Sequence, residues 1–111
     1  MNVTTMIDGT TARITLHGDI DHDTLPTIRA AAAELPPNTT DLIWDLRYTP
    51  FMDTAGLHLF TDPDPDAGPE RRTTLFGLQP QPLELIRTAA DLFPMCEFAC
   101  LLPEAGRREA A

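Results

Sequence analysis

Two short runs of apolar and β-branched residues open the chain, Val3 to Ile7 and Ala12 to His17, on either side of Asp8-Gly9. That dipeptide favours tight turns with positive φ, so the pattern predicts an N-terminal hairpin. A polar stretch, Gly18 to Thr24, leads into Leu25, Ile28, Ala31, Ala32 and Leu35, whose spacing is that of one helix face. Asp23 or Thr24 is placed to cap this helix, and Pro26 is tolerated in a first turn that needs no amide donor. Pro36-Pro37 ends it.

The next run, Leu42-Ile43-Trp44-Asp45-Leu46, is apolar without clean alternation, which predicts a central strand covered on both faces, with Asp45 as its polar member. After the loop Tyr48 to Met52, the stretch Asp53 to Phe60 predicts a helix capped by Asp53. The three prolines between Asp62 and Pro69 predict that it stops near Thr61. Thr73 to Leu78 predicts a further strand, Pro82 to Leu92 another helix, and Glu97 to Leu102 a last strand. Alternating β and α elements after a hairpin predict an α/β fold, a mostly parallel central sheet with helices packed against it through right-handed crossovers. Residues 1–102 are expected to form one domain and 103–111 a short polar C-terminal tail.

Charge and composition narrow the function classes. A chain of 111 residues, 42% of them hydrophobic, can bury a core without disulfides or metals. Its 8 basic residues, all arginine, face 17 acidic ones, and the net charge of −9 disfavours nucleic acid and anionic membrane surfaces. The longest apolar stretches, Ala30 to Ala33 and Phe98 to Leu102, fall far short of the ~20 residues of a membrane span. Met1 to Gly9 has neither the basic nor the apolar region of a secretory signal, so a cytoplasmic location is expected. Cys96 and Cys100 would stand ~13 Å apart on a strand, beyond the ~7 Å between α-carbons that a disulfide spans, and read as buried apolar thiols.

Most candidate chemistry fails on spacing or residue type. The triplets Asp19-Asp21-Asp23 and Asp62-Asp64-Asp66 suggest calcium, but an EF-hand loop needs glycine sixth and glutamate twelfth. Counted from Asp19 those positions are Thr24 and Ala30, and counted from Asp62 they are Ala67 and Thr73. His17, His22 and His58 lack zinc-site spacing, and no metal or other cofactor is expected. The chain contains no serine, which removes a Ser-His-Asp triad, and no lysine or glycine-rich loop to serve a phosphate. The cysteines lie in an apolar stretch beside Glu97 rather than near positive charge. A binding partner or a substrate of another enzyme is therefore expected, not an enzyme. What remains is Asp53-Thr54-Ala55-Gly56, a hydroxyl in the first turn of a helix beside a carboxylate and free backbone amides.

The run Leu42 to Leu57, with Phe51-Met52-Asp53-Thr54-Ala55-Gly56-Leu57 at its end, resembles the signature of STAS domains of the anti-sigma factor antagonist family, an apolar strand followed by Phe-Met-Asp-Ser-Ser-Gly-Leu. Upstream, Leu16-His17-Gly18-Asp19-Ile20-Asp21 resembles the family's Leu-x-Gly-Glu-Leu-Asp. The resemblance covers residues 3 to 102 in element order and implies a STAS-like single domain. It implies that Thr54 is the phosphoacceptor of a partner kinase with a histidine-kinase-like ATPase fold that doubles as the anti-sigma factor and brings ATP and magnesium. The unphosphorylated protein would bind that factor and free the sigma factor. Asp19, Asp21, His22, Asp53, Thr54, Ala55, Gly56 and His58 are the implied partner-binding residues. Three departures keep a second reading open: Ala55 stands where the family usually has a second hydroxyl, the prolines after Asp62 cut into the motif helix, and the helix that commonly follows the family's last strand is reduced to a short polar segment. That reading is a divergent STAS scaffold or soluble transporter subunit that binds a protein without phosphoswitching.

Overall fold

Asn2–Asp8 (β1) and Thr11–His17 (β2) pair antiparallel, with Asp8 opposite Thr11 and Asn2 opposite His17. Gly9 turns the hairpin at φ 61°, a conformation that glycine adopts without steric cost. Leu25–Ala33 (α1) leads to Asp41–Tyr48 (β3), which lies parallel to β2. Thr54–Thr61 (α2) leads to Arg72–Phe76 (β4), parallel to β3, and Pro80–Leu92 (α3) follows. The structure, a computed structural model, describes residues 1–61 and 72–93. The acidic proline stretch after Thr61, both cysteines, the expected strand Glu97 to Leu102 and the tail 103–111 lie outside the described residues.

The strand order β1-β2-β3-β4 gives the mixed, mostly parallel sheet that the sequence predicts. Each parallel step moves one strand in the same direction, so right-handed crossovers put the connecting helices on one face. The core follows from that. Ala12, Ile14 and Leu16 of β2, Leu42, Trp44 and Leu46 of β3 and Leu75 of β4 form one buried cluster with Ile28 of α1, Leu57 and Phe60 of α2 and Ile86 and Ala89 of α3. Trp44 meets Phe60 edge to face, with 5.4 Å between ring centroids.

The other face of β3 is covered over Asp45, though not by a second apolar layer. Asp45 is fully buried there, but under arginines. Arg47 donates to it from Nη2 at 2.8 Å and from Nε at 3.0 Å, and Arg13 Nε lies 3.7 Å away. Both guanidinium groups rest against the ring of Phe76, Arg13 at 5.0 Å and Arg47 at 5.4 Å from its centroid. The long arginine stems cover the carboxylate as well as neutralising it. Gly77, at φ 72°, fits closely against the Arg47 side chain, where a Cβ would collide with Arg47 Cγ.

The hydrogen bond from Arg47 holds the Asp45 carboxyl below the usual carboxylate range, against the opposing effect of burial. A carboxyl depressed in the folded state adds stability above its unfolded value, about 3.9, and that stability is lost as pH falls through the folded value. Urea midpoints of wild type and Asp45→Asn should therefore differ most near neutral pH and converge below about pH 4. A gap between them that stays constant with pH would remove the ionised carboxylate from this face.

Candidate functional site

Two loops meet beyond the C-terminal ends of β2 and β3. Gly18 N donates to Tyr48 O at 3.1 Å, Ile20 N to Phe51 O at 3.0 Å, and Asp53 N back to Ile20 O at 3.1 Å. Ile20 and Met52 thus form a parallel bridge outside the named strands. Thr49 is buried in the same junction and its hydroxyl donates to Leu16 O at 3.2 Å. The pairing seats Asp19 and Asp21, which flank Ile20, beside the segment Phe51 to Asp53.

Asp53 caps α2, as its position before the apolar run predicts. Its Oδ1 accepts from Ala55 N at 2.8 Å, and its carbonyl accepts from Gly56 N at 3.0 Å. Thr54 is then the first residue of the helix, exposed, with helix amides around it and a carboxylate immediately before it. His58 lies one turn later and is exposed on the same side of the helix as Thr54. Replacing Asp53 by alanine is expected to cost about 0.5–2 kcal/mol of stability through loss of the cap. Chemical denaturation of Asp53→Ala against wild type checks this.

Asp21 plays a structural part that its motif position did not reveal. Its Oδ1 accepts from the amides of Asp23 and Thr24, each at 2.9 Å, while Thr24 Oγ1 accepts from Asp21 N at 3.0 Å. This is a reciprocal capping box, and Leu25 N closes the turn on Asp21 O at 3.0 Å. The side-chain cap of α1 therefore comes from Asp21, one turn before the assigned helix, rather than from Asp23 or Thr24. Asp21 wins because its short side chain reaches amides two and three residues ahead, which satisfies donors that would otherwise be orphaned.

The structure brings Asp19, Asp21, Asp53 and Thr54 to one end of the sheet. Asp19, His22, Thr54 and His58 are exposed, while Asp21, Asp53 and Ala55 are half-buried. Gly56 is buried and offers no contact surface. A Cβ there would collide with Met52 Cγ and Sδ and stand 3.3 Å from Ile20 Cγ2, so its place in the motif is explained by packing of α2 onto the loop junction.

Four residues of this end escaped the sequence reading. Tyr48 and Phe51 are 50% and 44% exposed and present aromatic surface next to the acidic loops. Tyr48 stacks on His17 at 4.8 Å between centroids. Gln81, in the first turn of α3, accepts from Met52 N at 2.9 Å and donates to Met52 O at 3.0 Å, and Gln79 donates to Arg47 O at 2.9 Å. The available signal was Gln79-Pro80-Gln81-Pro82, two amide side chains at a helix start whose prolines bring no amide donors of their own.

Among the described residues no group of His, Cys, Asp and Glu is arranged to hold a metal ion, and no helix is long and apolar enough to cross a membrane. The arrangement suits modification or capture of an exposed hydroxyl by another protein. Phosphorylation would add about −1.5 to −2 charge at a helix N-terminus.

No protein-family model matches the chain, and no curated protein matches it. Solved structures do. The anti-sigma factor antagonist SpoIIAA in its unphosphorylated form is 25% identical, with a TM-score of 0.56 over 85% of this chain and 83% of that one. The Bacillus cell fate determinant SpoIIAA in its phosphorylated form is 22% identical, with a TM-score of 0.57 over 99% of this chain and 100% of that one. An anti-sigma factor antagonist from Mycobacterium paratuberculosis is 19% identical, with a TM-score of 0.55 over 92% and 85%. The sheet with its hairpin and one-sided helices is the STAS fold these proteins share.

Proposed function

We propose that this STAS-fold chain is an anti-sigma factor antagonist that binds its anti-sigma factor through the loop end of the sheet and is switched off by phosphorylation of Thr54. The observation that carries this reading is the exposed Thr54 hydroxyl at the first position of α2, with Asp53 capping the same turn and the Asp19–Asp21 loop seated beside it. The comparisons support the general role, since two similar proteins, SpoIIAA and the one from Mycobacterium paratuberculosis, are described as anti-sigma factor antagonists, and SpoIIAA also exists in a phosphorylated form.

The switch works at the interface rather than through unfolding. A dianion at a helix N-terminus is favoured by the dipole and the free amides, so the domain tolerates it. A partner surface shaped for a small neutral hydroxyl does not. Asp19, Asp21, His22, Asp53, Thr54, Ala55 and His58 would line or border the contact, with Phe51 and Tyr48 as aromatic anchors, and Gly56 would support it from beneath. The partner would be a kinase with a histidine-kinase-like ATPase fold, supplying ATP and magnesium, and the complex would form in the cytoplasm.

Incubation with purified candidate anti-sigma kinases and Mg-ATP, followed by intact-mass analysis, tests the reading. A single phosphate on wild type and none on Thr54→Ala is expected. Phosphate on neither protein, with equal partner capture by wild type and Thr54→Asp, would leave the constitutive scaffold as the function.

A further inference from the structure

The peptide groups of the loop before Thr54 are divided between two neighbours. In the parallel bridge, Ile20 bonds to Phe51 O and to Asp53 N, the groups on either side of Met52. The N–H and C=O of Met52 itself point the other way, as they do on alternate residues of a strand. Met52 is fully buried, so water does not reach those groups, and a buried peptide group without a partner is costly. Both are met by one side chain. Gln81 accepts from Met52 N at 2.9 Å and donates to Met52 O at 3.0 Å, reproducing with its amide the bond pair of a neighbouring strand. Gln79 binds the start of the same segment through Arg47 O at 2.9 Å. Gln79 and Gln81 stand at the beginning of α3, whereas the sheet-side partners of the loop are Gly18 and Ile20.

We propose that Gln81 is a positioning residue for Thr54: by holding both backbone groups of Met52 it fixes the phosphoacceptor loop to α3, and α3 thereby sets how the hydroxyl is presented to a kinase. A single residue, Asp53, separates Met52 from Thr54 and caps α2, so freedom at Met52 passes directly into the first turn of the switch helix. The role in phosphorylation rests on the reading of Thr54 as acceptor, whereas the role in ordering the loop does not. Alanine at 81 removes both bonds and leaves room for water at Met52, which loosens the loop without forcing an unpaired buried group on the core. Glutamate keeps the acceptor for Met52 N but cannot donate to Met52 O while ionised.

Amide hydrogen exchange and phosphorylation kinetics on Gln81→Ala and Gln81→Glu, using whichever anti-sigma kinase modifies wild type, test the proposal. Gln81→Ala is expected to exchange at least tenfold faster at Met52 and across Asp53 to Gly56, with amides of β3 such as Trp44 and Leu46 unchanged. Its kcat for Thr54 phosphorylation is expected to fall at least tenfold with KM nearly unchanged, and Gln81→Glu is expected to fall in between. Wild-type exchange at Met52, or exchange that rises equally throughout β3, overturns the clamp. Wild-type kcat in a variant with a loosened loop overturns the positioning role. If no kinase phosphorylates the wild-type protein, it is the switch reading that fails, and the exchange pattern alone then decides whether Gln81 orders the loop.

Discussion

Gly56→Ala is expected to destabilise the protein by about 1–3 kcal/mol, and Gly56→Val by more, because the added carbon enters space already filled. The sign is the informative part. At an open helix position, replacing glycine by alanine gains ~1 kcal/mol of helix propensity. Here the new Cβ would collide with Met52 Cγ and Sδ, and Met52 is fully buried with nowhere to retreat. Ile20, whose Cγ2 would stand 3.3 Å from the same carbon, is fully buried as well. For a domain of this size, each kcal/mol lowers the melting temperature by roughly 4–8 °C, so thermal unfolding resolves the alanine variant easily. A rise in melting temperature on Gly56→Ala would show that α2 is not seated on the loop junction as described.

The second large effect is on binding. Thr54→Asp is expected to weaken capture of the anti-sigma factor at least tenfold, a loss of ~1.4 kcal/mol or more, while leaving the fold as stable as before or slightly more so. A carboxylate in the first turn of α2 faces the positive end of the helix dipole, which contributes about 0.3–1 kcal/mol at exposed sites. Stability and affinity thus move in opposite directions from one substitution. The physical cause of the affinity loss is local: a new charge beside Asp53 and the Asp19–Asp21 loop, opposite a surface that accommodated a hydroxyl. Equilibrium denaturation and a binding titration on the same preparation separate the two effects. A parallel loss of stability and affinity would instead mean that Thr54 supports the fold.

Much of this architecture was legible in the chain, because hydrophobic period and turn chemistry agree over most of it. The Asp8-Gly9 hairpin, the apolar face of α1, the strand at Leu42 to Leu46 and the Asp53 cap are each specified by neighbours in sequence. Asp45 reads from the sequence only as the polar member of an apolar run; its partners are Arg47 two residues on, Arg13 on one neighbouring strand and Phe76 on the other, and no local pattern reports the last two. Asp21 was visible as a motif acid but not as a cap, since its acceptor role depends on a turn that precedes the apolar period of α1. Gln81 stands 29 residues from Met52, and only the crossover through β4 brings them together. Motif residues and local caps can thus be read from order alone, whereas the groups that hold the motif in place belong to tertiary structure.

The most direct test of the switch is a pair of calorimetric titrations of one anti-sigma factor, with the unphosphorylated protein and with protein phosphorylated at Thr54, at the same ionic strength. Tight binding of the first and at least a tenfold weaker affinity for the second, with both forms folded, is the predicted result. Equal affinities would contradict it and leave Thr54 as an ordinary first-turn residue on a domain that binds its partner regardless.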